Sequence, residues 1–196
     1  MSEARARLLA TASELFYAEG LHSVGIDRVI AGAGVTRATL YRHFPSKDEL
    51  LVAYLTEADN LIRAQVAAAR AEAAAGAPED AVRAVATTIA DGIRSPGFRG
   101  CAFLNAAAEY PDPAHPVHRA VLAHRQWFLE TVTELLAAAG EPDPEPAARH
   151  FVMLRDGAMA AGCLTDPAPV CVTFLRGVEG ILKYRDAPGG KRRNRG

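Results

Sequence analysis

The stretch from Ile26 to Leu50, IDRVIAGAGVTRATLYRHFPSKDEL, decides the fold of this chain. Apolar residues recur at helical spacing over residues 26–33, which predicts a short helix with one buried face. Gly34 follows and can adopt the left-handed conformation that commonly ends a helix. Thr36 is then placed to cap a second helix over residues 37–44, in which Leu40 and Phe44 share the buried face. Two short helices joined by a glycine turn are typical of a helix-turn-helix unit.

The outward face of the second helix carries donors, hydroxyls and aromatic surface. From Thr36 to Lys47 there are three fixed positive charges, one histidine and no acid. Such a surface suits a polyanion, so we predict that it binds DNA. We expect Arg37 and Thr39 to reach base edges and most of the others to hold phosphates. The predicted DNA-contacting residues are Thr36, Arg37, Thr39, Tyr41, Arg42, His43 and Lys47.

A third helix is predicted to begin directly after the second. Pro45 breaks the helical pattern, and residues 46–49, Ser-Lys-Asp-Glu, have the pattern of a capping box. Lys47 would then lie beside the positive end of the new helix. A helix start with a lysine is a favourable place for a phosphate.

The segment GVTRATLYRHFPSKDEL, residues 34–50, closely resembles the signature of the TetR family of bacterial transcriptional regulators. The resemblance includes the preceding LLATASELFYAEGLHSVGIDRVIAGAGV, in which the first helix has an apolar face and ends at Gly20. It implies an all-α fold with an N-terminal three-helix helix-turn-helix DNA-binding domain and a C-terminal helical ligand-binding and dimerisation domain. We place these domains at residues 1–48 and 49–186, followed by a basic disordered tail at 187–196.

The charges are unevenly distributed along the chain. Its net charge is only −1, which is unusual for a DNA-binding protein. Residues 1–50 carry six basic and six acidic side chains, residues 51–182 carry 10 and 16, and residues 183–196 carry six and one. Modest positive charge near the second helix predicts that tight binding needs two subunits on two half-sites.

The remainder of the chain has helical periodicity throughout. A long helix follows Ser46 and continues into an alanine-rich segment that ends near Gly76. Clusters of Pro and Gly then separate further predicted helices at about 79–94, 101–109, 117–139, 146–162 and 169–184. No segment alternates with the period of a strand, so the chain is predicted to be all-α.

The last two helices are the predicted dimer interface, because the family resemblance implies a four-helix contact between two copies. A broad apolar stripe and a run of small residues are compatible with this arrangement, although the same residues could form core within one chain. The predicted interface residues are Ala158, Ala161, Phe174, Leu175, Val178, Ile181 and Leu182.

A small, largely apolar ligand is the predicted effector, with a pocket among the middle helices. Large or polar residues in segments dominated by alanine are the candidates, although core or surface positions would also explain them. The candidate ligand-binding residues are Phe103, Asn105, Glu109, His124, Trp127, Phe128, Met153, Arg155 and Met159.

Other classes of function are less well supported. The sequence lacks a glycine-rich phosphate loop, a G-x-S-x-G elbow and an H-E-x-x-H motif, so we do not expect an enzyme. Three cysteines at wide spacing fit reduced thiols, and we expect no cofactor and no bound metal. No apolar run is long enough to span a bilayer, which predicts a cytoplasmic protein. A metal- or thiol-responsive sensor, using His115, His118, His124 or the cysteines, and a regulator without any effector remain alternatives.

Overall fold

The computed structural model describes residues 2–184, with the side chain of Tyr184 outside the description. This part of the chain is all-α and contains no strand. Its nine helices are α1 (Glu3–Glu19), α2 (Ile26–Ala33), α3 (Arg37–His43), α4 (Lys47–Ala73), α5 (Pro78–Arg94), α6 (Ala102–Glu109), α7 (Pro116–Ala138), α8 (Pro144–Leu164) and α9 (Pro167–Tyr184). The predicted basic tail lies outside the described residues.

Short polar caps and glycines set the ends of the first helices. The Ser2 hydroxyl accepts a hydrogen bond from Arg5 N, 3.3 Å away, at the start of α1. Gly34 has a left-handed backbone with φ of 61° and ends α2, as the sequence predicts. The Ser46 hydroxyl accepts from Glu49 N at 3.1 Å, which confirms the Ser46 half of the capping box before α4.

Proline begins four of the later helices. Pro78, Pro116, Pro144 and Pro167 are the first residues of α5, α7, α8 and α9. The N–H groups of a first helical turn have no partner within the helix, so a proline there removes no hydrogen bond. The sequence predicts the starts of α8 and α9 two residues late, because Pro146 and Pro169 resemble helix breaks although they lie within first turns.

The described residues form two compact units. Unit 1 contains the chain up to residue 64 together with residues 99–127, and unit 2 contains residues 65–98 and the chain from residue 128. These units are defined by packing. The domain boundary predicted after residue 48 is a division by function, and it stays a prediction.

Unit 1 contains the helix-turn-helix head, which consists of α1, α2 and α3 and shares an apolar core with α4. Leu8, Leu40 and Leu50 are completely buried, and they come from α1, α3 and α4. Phe16 of α1 lies 5.9 Å from Tyr54 of α4, measured between ring centroids. Helix α3 has only seven residues and would not be stable alone in water. Burial of these side chains stabilises it.

Unit 2 is built around a row of aromatic side chains. Phe151 of α8 lies 6.3 Å from Phe128 of α7 and 5.8 Å from Phe174 of α9. At the end of α8, a Cβ on Gly162 would lie 2.6 Å from Cγ2 of Ile93, so this glycine lets α5 approach α8 closely. None of the helices in the described part of the chain combines the length and the apolar character that crossing a membrane requires.

Candidate nucleic-acid interface

Helix α3 presents one face to solvent because its other face is anchored in the core. The Thr36 hydroxyl accepts from Thr39 N at 3.2 Å and caps the start of the helix. Leu40 and Phe44 are 0% and 2% exposed, and Phe44 N donates to Leu40 O at the end of the helix. This confirms the predicted buried face and leaves the donor-rich side chains on the outside.

The predicted DNA contacts differ in how accessible they are. Arg37 is exposed, and its guanidinium pairs with the Asp27 carboxylate of α2. Arg37 must therefore leave the Asp27 carboxylate before its guanidinium can contact a base. The exposed members of the predicted set are Thr36, Arg37, Tyr41 and Arg42, and the half-buried members are Thr39, His43 and Lys47.

Lys47 is tied to its own chain at the start of α4. Its Nζ donates to the carbonyl oxygen of His22 over 3.4 Å. Partial burial lowers the pKa of Lys47, and the carboxylates of Glu109 and Asp48 act in the opposite direction. The ammonium group is thus held beside the helix-turn-helix head, at the position where a phosphate contact was predicted.

The N-terminus of α1 adjoins this surface, which sequence reasoning missed. Ser2 Oγ lies 3.3 Å from His43 Nε2, although the two residues are 41 positions apart. The Arg5 guanidinium lies 4.9 Å from the centroid of the Phe44 ring. No local pattern could have revealed this, because the contact is made by the tertiary packing of α1 beside α3.

The nine candidate ligand residues divide between the two units. Phe103 and His124 of unit 1 are buried, Glu109 and Trp127 are half-buried, and Asn105 is exposed. In unit 2 Phe128 and Arg155 are buried, Met159 is half-buried, and Met153 is 72% exposed. A role in ligand binding stays a prediction for all of them.

A buried polar cluster surrounds His124 in unit 1. His124 is 1% exposed and stacks on Phe103, with ring centroids 3.6 Å apart. Its Nδ1 lies 2.7 Å from Asp59 Oδ1. The other oxygen of Asp59 accepts from Arg63, whose guanidinium lies 4.1 Å from the centroid of a Trp127 ring. His124 is therefore a core histidine engaged with a carboxylate.

The histidines considered for a sensor contact other groups of the chain, and the cysteines are free thiols. His115 Nε2 lies 3.3 Å from Asp48, and His118 Nδ1 lies 2.6 Å from the carbonyl oxygen of Tyr110. Within the described residues no three His, Cys, Asp or Glu side chains are grouped so that they could hold a metal ion. All three cysteines are free thiols, of which Cys101 and Cys171 are buried and Cys163 is exposed.

Most of the predicted dimer residues are already covered within one chain. Phe174 and Val178 are 2% and 1% exposed, and Ile181, Leu182 and Ala158 are also buried. Leu175 and Ala161 are half-buried. These residues therefore chiefly stabilise the packing of α8 and α9 within the chain, and a partner would contact the outer edge of the stripe.

A surface groove of about 390 Å³ runs along that outer edge of α8 and α9. The small residues Gly157, Ala158 and Ala161 leave room for it, and a Cβ on Gly157 would meet no atom within 4 Å. Its lining residues are Met153, Leu154, Gly157, Ala158, Ala161, Pro169, Val170, Thr173 and Phe174.

A capped short helix that presents donors from a three-helix head defines a class, the helix-turn-helix DNA-binding regulators. Residues 8–54 match the family described as bacterial regulatory proteins, tetR family. The chain is 71% identical to SCO4454, a TetR-family transcriptional regulator from Streptomyces coelicolor whose crystal structure superposes with a TM-score of 0.90. The alignment covers 94% of this chain and 96% of that one. This chain belongs to the TetR family.

Two further relatives are named as HTH-type transcriptional regulators. The HTH-type transcriptional regulator YjdC of Escherichia coli is 22% identical over 92% of this chain and 94% of its own length. The HTH-type transcriptional activator FasR of Mycolicibacterium smegmatis is 46% identical over 61 residues, which are 31% of this chain and 28% of FasR. The chain is a DNA-binding transcriptional regulator and not an enzyme.

Proposed function

We propose that this protein is a dimeric repressor that binds a pseudo-palindromic operator through α3 and is released by a small, largely apolar ligand. The observation that supports DNA reading by α3 most directly is its outward face, which combines Arg37, Tyr41 and Arg42 without a carboxylate of its own. Because the target is chromosomal DNA, we place the protein in the bacterial cytoplasm.

Two observations on separate parts of the chain support the proposal of a dimer. The charge near α3 is modest, and Asp27 pairs with Arg37, so one copy gains little from phosphate neutralisation. In unit 2 the α8 and α9 groove is lined mainly by apolar side chains, including the exposed Met153. A second copy of the same groove would bury this surface and present two α3 helices to two half-sites.

The effector proposal rests on the polar residues among the middle helices. Asn105 and Glu109 line a cavity of about 390 Å³ in unit 1, and Phe103 stacks on His124 in the same unit. In unit 2 the buried Arg155 lies 4.9 Å from the centroid of the Phe128 ring. A ligand that favours the non-binding form by about 1–3 kcal/mol would lower operator affinity by roughly 5- to 150-fold.

Selection of duplexes from random DNA with the full chain tests DNA recognition. We expect an enriched inverted repeat whose half-sites are separated by about one helical turn, and a complex with two protomers per duplex. Enrichment of a single unrepeated site, or of no sequence, would contradict the proposal.

Release from the operator by a ligand and the choice between repression and activation need separate measurements. A true inducer must bind less tightly when operator DNA is present, by the same factor by which it weakens DNA binding. A reporter placed behind the selected operator should be less active when the protein is present. FasR carries the name of an activator, so a rise in reporter activity is a real alternative and would refute repression.

A further inference from the structure

The C-terminal end of α6 is tied to the turn between α1 and α2 by one carboxylate. Glu109 Oε1 accepts a hydrogen bond from Leu21 N at 2.8 Å, and Oε2 accepts from His22 N at 2.6 Å. The Glu109 side chain is only 25% exposed. Hydrogen bonds from N–H groups to an ionised carboxylate are stronger than neutral ones, and screening by water is reduced here. This pair of bonds is called the Glu109 clamp below.

Gly20 makes room for the Glu109 clamp. Its φ of 94° is a conformation that side-chain-bearing residues rarely adopt, and a Cβ there would lie 3.3 Å from Glu109 Oε1. The next residue, Leu21, is 3% exposed, and Val24 is completely buried just before α2. The clamp therefore holds a turn whose apolar residues Leu21 and Val24 are buried in the core of unit 1.

The peptide groups of His22 are held from both sides. The N–H of His22 donates to Glu109, and its carbonyl oxygen accepts from Lys47 Nζ. Lys47 is the first residue of α4 and a predicted phosphate contact. The same turn thus connects α6 with the start of α4 through two polar contacts.

A second tie joins the other end of α6 to α1. The Tyr17 hydroxyl donates to the carbonyl oxygen of Gly100 at 3.0 Å and accepts from Arg99 N at 2.9 Å. Between this tie and the Glu109 clamp lies the cavity of about 390 Å³, lined by residues of α1 and α6. Polar contacts are thus made at both ends of α6, on either side of this cavity.

We propose that Glu109 is a positioning residue for DNA binding, because its carboxylate holds the α1–α2 turn, and with it α2 and α3, in the orientation that binds DNA. Glu109 is an anion and has no part in attracting phosphate. Its carboxylate acts on the turn through the backbone N–H groups of Leu21 and His22, and the His22 imidazole Nδ1 lies 3.4 Å from the same Oε2.

The direction in which DNA affinity changes when the Glu109 charge is removed distinguishes a positioning role from an electrostatic one. Removing a negative charge from a DNA-binding domain should strengthen DNA binding or leave it unchanged, since the protein becomes more positive. Loss of the clamp should weaken DNA binding, since α3 is no longer held in the orientation that binds DNA. Glu109→Gln removes the charge and places an amide NH2 group where one backbone N–H needs an acceptor.

The experiment compares E109Q and E109D with the control E14Q, which neutralises an exposed acid of α1 in the same unit. DNA affinity is measured on a duplex that the wild-type chain selects from random DNA, and amide hydrogen exchange is measured at Leu21 and His22. We expect E109Q to bind about fivefold more weakly or worse, with faster exchange at both amides, and E14Q to bind as tightly as wild type or tighter. E109D should also bind more weakly, although its charge is unchanged, because its side chain is one methylene shorter.

Two results would overturn the inference. One is faster exchange at Leu21 and His22 in E109Q or E109D with unchanged or tighter DNA binding. The other is a loss of DNA binding that E14Q shows to the same extent. If E109Q does not fold, E109D decides the question in the same two measurements.

Failure of the proposed function has a separate signature. If the wild-type chain enriches no duplex, the operator proposal fails. The clamp is then tested by amide hydrogen exchange at Leu21 and His22 and by affinity for an unselected duplex of equal length. Unchanged exchange and affinity in both Glu109 variants would refute the clamp.

Discussion

At the scale of single residues, Arg37 and Lys47 are both basic but have different surroundings, and this predicts different roles. Arg37 is exposed near the start of α3 and pairs with Asp27. Lys47 is partly buried and donates to the His22 carbonyl oxygen. A long planar guanidinium suits a bidentate base contact, whereas a tethered ammonium acts on phosphate as a point charge.

Arg37→Ala is expected to relax sequence preference and to cost about 1–3 kcal/mol of binding to the selected operator, if Arg37 contacts a guanine edge. Competition binding against duplexes with single base changes measures this. The matched variant Asp27→Asn should leave the preference intact and raise affinity, because it frees Arg37. A preference that is equally sharp in R37A would exclude Arg37 as a base reader.

Lys47→Ala should weaken binding to all duplexes alike and lower the slope of log K against log salt by about one per subunit. Titrations at several salt concentrations on operator and unrelated DNA provide the measurement. If K47A changed sequence preference as much as R37A, the division of roles between the two residues would be wrong.

The three cysteines should differ in reactivity. Burial raises the pKa of the Cys171 thiol, so less thiolate is present at a given pH, whereas Cys163 is exposed. Iodoacetamide at pH 8 should modify Cys163 first, and Cys171 only after unfolding, as judged by peptide mass spectrometry. Early modification of Cys171 would show that α9 opens readily from α5, where its thiol donates to the Ala90 carbonyl oxygen.

At the scale of elements, the stability of α3 depends on its cap. The helix has seven residues, and Thr36 provides its N-terminal side-chain acceptor for Thr39 N. Thr36→Ala is expected to lower the free energy of unfolding by about 1 kcal/mol, while Thr36→Ser, which keeps the hydroxyl, should cost much less. Urea unfolding measures both variants. Equal effects of the two substitutions would mean that the hydroxyl does not stabilise the helix.

The helices could be predicted because their determinants are local. Gly34, Thr36 and Ser46 act within four residues of their positions, and the apolar spacing of α1 to α3 follows directly from the sequence. The errors fell at Pro146 and Pro169, where a helix breaker also fits a first turn. At the candidate site the outward face of α3 was predictable for the same local reason.

Contacts between distant segments could not be predicted from local patterns. The Glu109 clamp joins residues 88 positions apart, and its donors are backbone groups that every residue type carries. Phe174 and Val178 illustrate the same limit, since an apolar stripe has the same pattern whether it packs within one chain or against a partner. Only the tertiary structure distinguishes these cases.

At the scale of the whole molecule, DNA binding is expected to depend on dimerisation through the α8 and α9 groove. Met153 is a large apolar side chain that is mostly exposed, so Met153→Arg should leave the fold of one chain intact. It should shift the protein to monomer in sedimentation velocity and roughly halve the salt slope of DNA binding. Ala137→Arg, at an exposed site on α7 outside the groove, is the matched control. A dimeric M153R with unchanged binding would place the interface elsewhere.

The central claim, that two copies read one symmetric site through α3, is tested most directly by hydroxyl-radical footprinting of the wild-type protein on its selected duplex. The account predicts two equal protected regions related by two-fold symmetry, about one helical turn apart, with R37A losing protection in both. A single protected region, or protection that R37A leaves unchanged, would contradict it.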